Sequence, residues 1–386
     1  MYVLAKDKPF FVTLNVLNMF FWYPINHEKT HEKWFYICSL LLRTISLLSA
    51  LGTLVHLVLA IKDNTNIELS EDIGDLTGFI GCMLVCPNIL FTNAKWSELF
   101  NKLLDFKQFG KPPNYDKIVK RGNLISLISM MYATQGMLWY CFVTYIQAPE
   151  CRRMNTEKNL REHCGMVNPT WLPFKQVQGA TFYACYLFQL IGIFVYLPPS
   201  FATCMIPWEA VEIIVARLNH LKGLFKDVFN PQNRKLYKKR LRYCISYHQD
   251  IIKISEELNV LVKATMGKVF ITAAVVIGSL GRQVLQESTP KAVSFIMGYI
   301  IGMFFLCHAG QRLIDESLNL TEYVYDSRWY EIDPEIKRDV VFVLARCQKP
   351  IHLTTPASMG SLGYFLFSIM IKTSYSYLTL LNQMVS

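Results

Sequence analysis

Tyr132, Gln135, Gly136 and Trp139 fall at i, i+3, i+4 and i+7, so on a helix they share one face. Two aromatic rings, a carboxamide and a residue with no side chain form a wall suited to holding a small apolar molecule, not to making or breaking bonds. Other apolar runs offer rings for the same space: Phe182, Tyr183 and Tyr186 in one, Phe79 with Met83 in a second, Phe295 and Tyr299 in a third. A ligand cavity is one reading of this set; ring-to-ring packing between helices is the plainer one. A second pattern lies near the C-terminus, where Ser374, Leu378, Leu381 and Asn382 form a mixed polar and apolar stripe. From Val340 to Ser386 there is no Asp or Glu. If several copies of this stripe lined an axis, the leucines could close it by dewetting, with the amide and hydroxyl near the mouth. A polar seam between two helices explains the same spacing.

Catalytic spacing is missing. No Gly-x-Ser-x-Gly elbow, His-Glu-x-x-His or phosphate-cradling glycine loop occurs, and the apolar runs are nearly free of acids. An enzyme is therefore not expected, nor is a cofactor. Metal ligation is not expected either, because His163-Cys164 and Cys307-His308 are adjacent pairs, unlike a zinc framework. His56, inside an apolar run, reads as a hydrogen-bonded interior histidine. Of the 11 cysteines, nine read as small apolar packers. Cys151 and Cys164 share one sizeable loop and could form a disulfide.

The elements that must position these residues are membrane helices. The 386 residues are 52% hydrophobic and only 18% charged, with a mean hydropathy of +0.24. That excludes disorder and all but excludes a soluble enzyme. A bilayer core takes about 20 apolar residues in a helix. Seven runs meet that length: 34–61, 73–92, 123–147, 177–206, 264–286, 292–310 and 355–382, the fourth broken by Pro198-Pro199. The expectation is an all-α, polytopic, single seven-helix domain. Residues 207–262 are too polar to span, yet Ile213, Ile214, Arg217, Leu218, Leu221 and Leu224 keep helical spacing. So do Tyr247, Ile251, Ile254, Leu258 and Leu261, with Asn230-Pro231 as the turn between. Two amphipathic extensions of spans four and five are predicted. A further helix is predicted within 331–353, started by Asp333-Pro334.

Basic residues set the orientation. The N-terminal segment and the loops at 93–121, 207–262 and 309–353 together carry 27 Lys and Arg; the opposite side carries seven. Leaving out the longest loop, the comparison is 17 to seven. A cytoplasmic N-terminus and an extracellular C-terminus follow. A G-protein-coupled receptor has the reverse orientation, and this chain lacks Asp-Arg-Tyr after span three and Asn-Pro-x-x-Tyr in span seven.

The stretch Tyr325-Asp326, Trp329, then Arg346-Cys347-Gln348-Lys349-Pro350, then Lys372-Thr373-Ser374-Tyr375-Ser376-Tyr377 resembles the C-terminal signature of insect odorant receptors. The resemblance implies a ligand-gated, non-selective cation channel that works as a heterotetramer with the family's common co-receptor, in the plasma membrane of an olfactory neuron dendrite. It implies an odorant pocket in the outer half of spans two, three, four and six, an anchor domain at the cytoplasmic ends of spans four to seven, and a shared pore along span seven. Those implications fall on the cavity, helix and stripe residues named above. The length of the chain is that of a tuning subunit; the co-receptor has a larger cytoplasmic loop. A gustatory-type chemoreceptor, a G-protein-coupled receptor and a membrane transporter are the alternatives. Against the gustatory one, Thr373 is followed by Ser374 where a tyrosine is usual.

Overall fold

The computed structural model describes residues 2, 4–25, 29–62, 69–158, 160, 162–174, 177–287, 290–356 and 360–383, and among them the architecture is all helix apart from one isolated bridge between Thr354 and Ser361. Seven long helices take up the seven apolar runs: α2 (Lys29–Lys62), α3 (Ser70–Phe91), α5 (Tyr115–Ile146), α7 (Ala180–Val228), α8 (Tyr237–Glu287), α9 (Pro290–Tyr325) and α11 (Tyr364–Gln383). Shorter helices fill the connections: α1 (Phe11–Met19), α4 (Asn93–Leu103), α6 (Ala148–Lys158) and α10 (Pro334–Cys347). By length and composition alone, five of these helices could cross a membrane: α2, α3, α7, α8 and α9. The exposed side of α2 is a continuous run of large apolar side chains, from Trp34 through Leu40, Leu41, Leu47 and Leu51 to Ile61. A surface of that kind is not presented to water.

The predicted extensions are present as helix. α7 runs 49 residues without interruption, about 74 Å, and α8 runs 51. Ile213, Ile214, Leu218, Leu221 and Phe225 are buried against Tyr247, Ile251, Ile254 and Leu258 in one core. The turn at Asn230-Pro231 is a short 3-10 segment, Pro231–Leu236. Pro334 occupies the first turn of α10, with Asp333 extended before it.

Arg217 ties this region together. Its side chain is 1% exposed, lies over the Phe106 ring, and donates to the carbonyls of Lys102 (2.8 Å), Leu103 (2.9 Å) and Asp105 (2.8 Å) as well as to Asp250 (3.1 Å). The first two carbonyls end α4 and the third lies just beyond it, where a cation offsets the negative end of the helix dipole.

Two sequence expectations need correcting. Pro198-Pro199 does not break span four; α7 continues through it and through Pro207. Proline removes the donor that would serve the carbonyl four residues back. For Pro199 that carbonyl belongs to Val195, and it accepts from the indole Nε1 of Trp22 at 3.0 Å. Trp22 is fully buried under the guanidinium of Arg43, 4.1 Å from its ring centroid, which also gives the one formal charge in span one a partner. The seventh run, expected from 355, becomes helical only at Tyr364. Before it, the Thr354–Ser361 bridge turns the chain, and Thr354 is held by Asn259 (2.6 Å); residues 357–359 lie outside the described set.

Candidate ligand-binding site

A cavity of about 140 Å³ lies where α3, α5, α7, α8 and α9 meet. Its wall is largely ring and methyl. Tyr132, Gly136, Met137 and Tyr140 come from α5, Tyr196 and Phe201 from α7, Phe295 and Tyr299 from α9, with Thr272 of α8 and Asp75 and Cys82 of α3. Edge-on ring pairs fix these side chains: Phe79 against Tyr196 (centroids 5.3 Å) and Phe295 against Tyr299 (5.6 Å). Gly136 has nothing within 4 Å of where a Cβ would stand, so its missing side chain is open space in the wall.

Polar groups close one end. Tyr140 donates to Glu71 (2.7 Å), which also accepts from Gln283 (3.4 Å). Glu71, Asp72 and Asp75 are buried in the first turns of α3, where the helix dipole favours carboxylates. Glu71 and Asp72 precede the apolar run at 73–92, so hydropathy alone leaves them outside the span although they belong to its helix. His56 bonds Asp72 through Nδ1 (2.7 Å) and Glu162 through Nε2 (2.8 Å), so the interior histidine joins α2, α3 and the loop after α6.

That loop is strapped down along its length. Cys151 and Cys164 are joined in a disulfide, with Cα atoms 5.5 Å apart. The Asn155 amide donates to the Glu162 carbonyl (2.8 Å), Val167 N donates to Gln189 Oε1 (2.9 Å), and Gln189 Nε2 donates to the Asn168 carbonyl (3.2 Å). Trp171 N donates to the Gly52 carbonyl at 3.0 Å. The loop therefore brings Asn168 to the cavity wall. A second hollow, about 520 Å³, lies outside the bundle between α2, the start of α7 and Trp171–Phe174, and opens along exposed leucines.

Of the residues singled out by spacing, Tyr132, Gly136, Phe295 and Tyr299 reach the cavity. Phe79 and Met83 pack behind it, in the cluster with Tyr196. Gln135 and Trp139 do not reach it: both are exposed, Trp139 by 46%, on the outer side of α5. Phe182, Tyr183 and Tyr186 form a ring cluster beside Tyr145 instead; Tyr186 donates to the Cys141 carbonyl (3.0 Å) and Tyr183 is 58% exposed. Residues that spacing missed include Tyr140, Asn168, Tyr196, Phe201 and Thr272. Tyr140 carried a usable signal, four residues beyond Gly136 on the same face.

In the C-terminal stripe, the two residues whose side chains are described sit as in a seam between helices, the second of the two readings its spacing allows. Ser374 is buried and donates to the Met370 carbonyl (2.9 Å), and Leu378 packs over Gly281 of α8. A Cβ on Gly278 would overlap the ring of Tyr377, so glycine there permits the close approach of α8 and α11. The exposed face of α11 carries Phe365, Ile369, Lys372, Ser376 and Leu380. The side chains of Leu381 and Asn382 lie outside the described residues.

A family model described as "7tm Odorant receptor" matches residues 66–375. The chain belongs to this odorant receptor family. Its members are receptors and ion channels, neither enzymes nor G-protein-coupled receptors. The receptor is 22% identical to odorant receptor Or2 of Anopheles gambiae over 282 residues, 70% of this chain and 71% of that one. It is 26% identical to odorant receptor 67a of Drosophila melanogaster over 151 residues, 38% of this chain and 37% of the relative. The receptor spans about half the length of another Drosophila relative, 85d (53%). Among solved structures it superposes on the insect olfactory receptor OR5 from Machilis hrabei with a TM-score of 0.76, and on the same protein in complex with eugenol with 0.75. Both matches are at 16% identity and cover 97% of each chain, so the receptor has the OR5 fold. It is a multi-pass membrane protein of all-α architecture.

Proposed function

We propose that this chain is an odour-specific tuning subunit that binds a small, volatile, largely apolar molecule in the 140 Å³ cavity. Binding there gates a non-selective cation channel formed with the family co-receptor in a heterotetramer. The observation that carries this reading is the cavity itself, walled by Tyr132, Tyr196, Phe295 and Tyr299 within a chain of this family. A dry apolar cavity of about 150 Å³ is enough to hold benzene, so a single-ring or short-chain odorant suits this one. The relative OR5 has been solved with eugenol, which supports a small aromatic ligand class here.

In this reading α2, α3, α5, α7, α8, α9 and α11 are the seven spans, with the N-terminus in the cytosol, as the 17-to-seven basic bias favours. The packed ends of α7 and α8 with α10 form the cytoplasmic anchor. The exposed stripe of α11, Phe365 to Leu380, faces the neighbouring subunits or the pore they share. The receptor resides in the plasma membrane of a sensory dendrite. A ligand shifts the closed–open equilibrium only by its differential affinity for the two states. The test is whole-cell current on application of a volatile panel to cells expressing this chain with the co-receptor, the co-receptor alone, and this chain alone. Ligand-specific current in the first condition only is expected; the same currents from the co-receptor alone would refute the tuning role.

A further inference from the structure

Most polar groups on the cavity wall are already met inside the protein. Tyr140 donates to Glu71 (2.7 Å), Thr272 to the carbonyls of Lys268 and Val269 (both 3.0 Å), and Ser200 shares a hydrogen with the Cys86 thiol (3.1 Å). Asp75 and Ser294 have partners of their own, and the Asn168 side-chain oxygen, although unpaired, is sealed off from the space. Tyr132 is exposed. Two hydroxyls are left. Tyr196 of α7 and Tyr299 of α9 make no hydrogen bond among the described residues, and unlike the Asn168 oxygen neither hydroxyl is sealed in. Both side chains reach the same turn of α3. The Tyr196 ring stands edge-on to Phe79 (centroids 5.3 Å), and a Cβ on Gly78 would come within 3.1 Å of the Tyr299 hydroxyl, so glycine leaves it room. The two tyrosines are near enough to act on one another electrostatically. A tyrosine inside a protein normally finds a partner for its hydroxyl, and going without one is unfavourable.

We infer that Tyr196 and Tyr299 are specificity-determining residues that donate their hydroxyl protons to one acceptor oxygen of the ligand, and that the receptor is tuned to small carbonyl compounds. This rests on the proposed function, since the cavity must be the odorant site. A carbonyl oxygen has two lone pairs and brings no proton of its own, so a single atom meets both donors. The rings and methyls of the remaining wall take the hydrocarbon part. A methylene in place of that oxygen keeps the shape of the molecule and leaves both hydroxyls unmet. Sites built to hydrogen-bond a ligand group reject the analogue without it far more strongly than they reject a missing methylene.

The experiment reads dose–response currents from the receptor co-expressed with its co-receptor, for two isosteric pairs: acetophenone with α-methylstyrene, and benzaldehyde with styrene. In the natural receptor the carbonyl member of each pair should be about 25-fold more potent, two neutral hydrogen bonds at about fivefold each. Tyr196→Phe and Tyr299→Phe each remove one hydroxyl and keep the ring. Each should cut the ratio about fivefold, by weakening the carbonyl compounds while the hydrocarbons hold or improve. The double variant should bring the members of each pair level; where it does not reach the cell surface, the single variants decide. Equal potency within pairs in the natural receptor, or an unchanged ratio in either single variant, overturns the inference. Gly136→Leu separates this from a failure of the cavity reading: if it leaves every response unaltered, the cavity is not the odorant site, whereas if it weakens both members of each pair alike, the cavity stands and the two hydroxyls are judged by the ratio alone.

Discussion

Gly136→Leu gives the sharpest test of where the ligand sits. The substitution puts a branched side chain into space where even a Cβ meets no neighbour within 4 Å. The void it enters measures about 140 Å³. Filling core volume is worth about 24 cal/mol per Å³, so a molecule that occupies all of this space gains at most about 3 kcal/mol. That amount is about 150-fold in affinity. A side chain installed at position 136 takes much of the same gain permanently. It also adds about 0.8 kcal/mol from replacing glycine within a helix. Two shifts should therefore appear together: the detergent-solubilised protein melts at a higher temperature, and half-maximal odorant concentration rises by one to two orders of magnitude. Surface biotinylation checks that the variant reaches the membrane. Unchanged dose–response curves at normal surface level would refute the reasoning, and so would a lower melting temperature, which would show that the space at Gly136 is already occupied.

Three further outcomes follow from features away from the cavity. Replacing Cys151 and Cys164 by serine opens a 14-residue ring, for which chain entropy gives about 3 kcal/mol of lost loop ordering; with the partly exposed free thiols of Cys38 and Cys185 replaced by serine, membrane-impermeant maleimide should label the protein only after reduction, and labelling without reductant would contradict the disulfide. Arg217→Met leaves the Leu103 and Asp105 carbonyls and Asp250 without their donor, which should destabilise the α4–α7–α8 junction by about 3–5 kcal/mol; surface expression and co-purification with the co-receptor should both fall, and normal levels of both would exclude the role given to it. Burial, with Arg346 nearby, pushes His248 down to about 4, so it stays neutral in the fold while the unfolded chain takes up a proton near pH 6.5. Stability is then full above about pH 6.5 and declines as pH falls toward 4, by about 2 kcal/mol at pH 5. The melting temperature should drop between pH 7.5 and 5, and His248→Leu should flatten that drop; an equal drop in the variant would assign it elsewhere.

The fold was legible wherever an apolar run or a helix-start signal acted locally. The lengths of α7 and α8, the turn at Asn230-Pro231 and Pro334 opening α10 all came from such signals. Pro198-Pro199 misled because its compensation is not local: the donor for Val195 comes from Trp22, 173 positions earlier. The cavity was half legible for a different reason. Helical spacing assigns residues to faces, but a helix in lipid is apolar all round, so hydrophobicity does not say which face turns inward. On α5 the inward edge holds Tyr132, Gly136 and Tyr140, while Gln135 and Trp139, one step round the cylinder, point out. On α11, likewise, spacing alone does not say that Tyr377 and Leu378 turn toward Gly278 and Gly281 of α8. Asn168 had no sequence signal at all, since a loop residue is delivered by the strap around it.

The indole of Trp22 has a practical corollary for anyone preparing this receptor. Trimming the leading two dozen residues to improve yield would look harmless, because they precede the first long apolar run. It would strip the support from the proline pair in the fourth, leaving an oxygen with no proton to meet and a guanidinium with no ring beneath it. The damage would surface as poor trafficking, far from the residues removed.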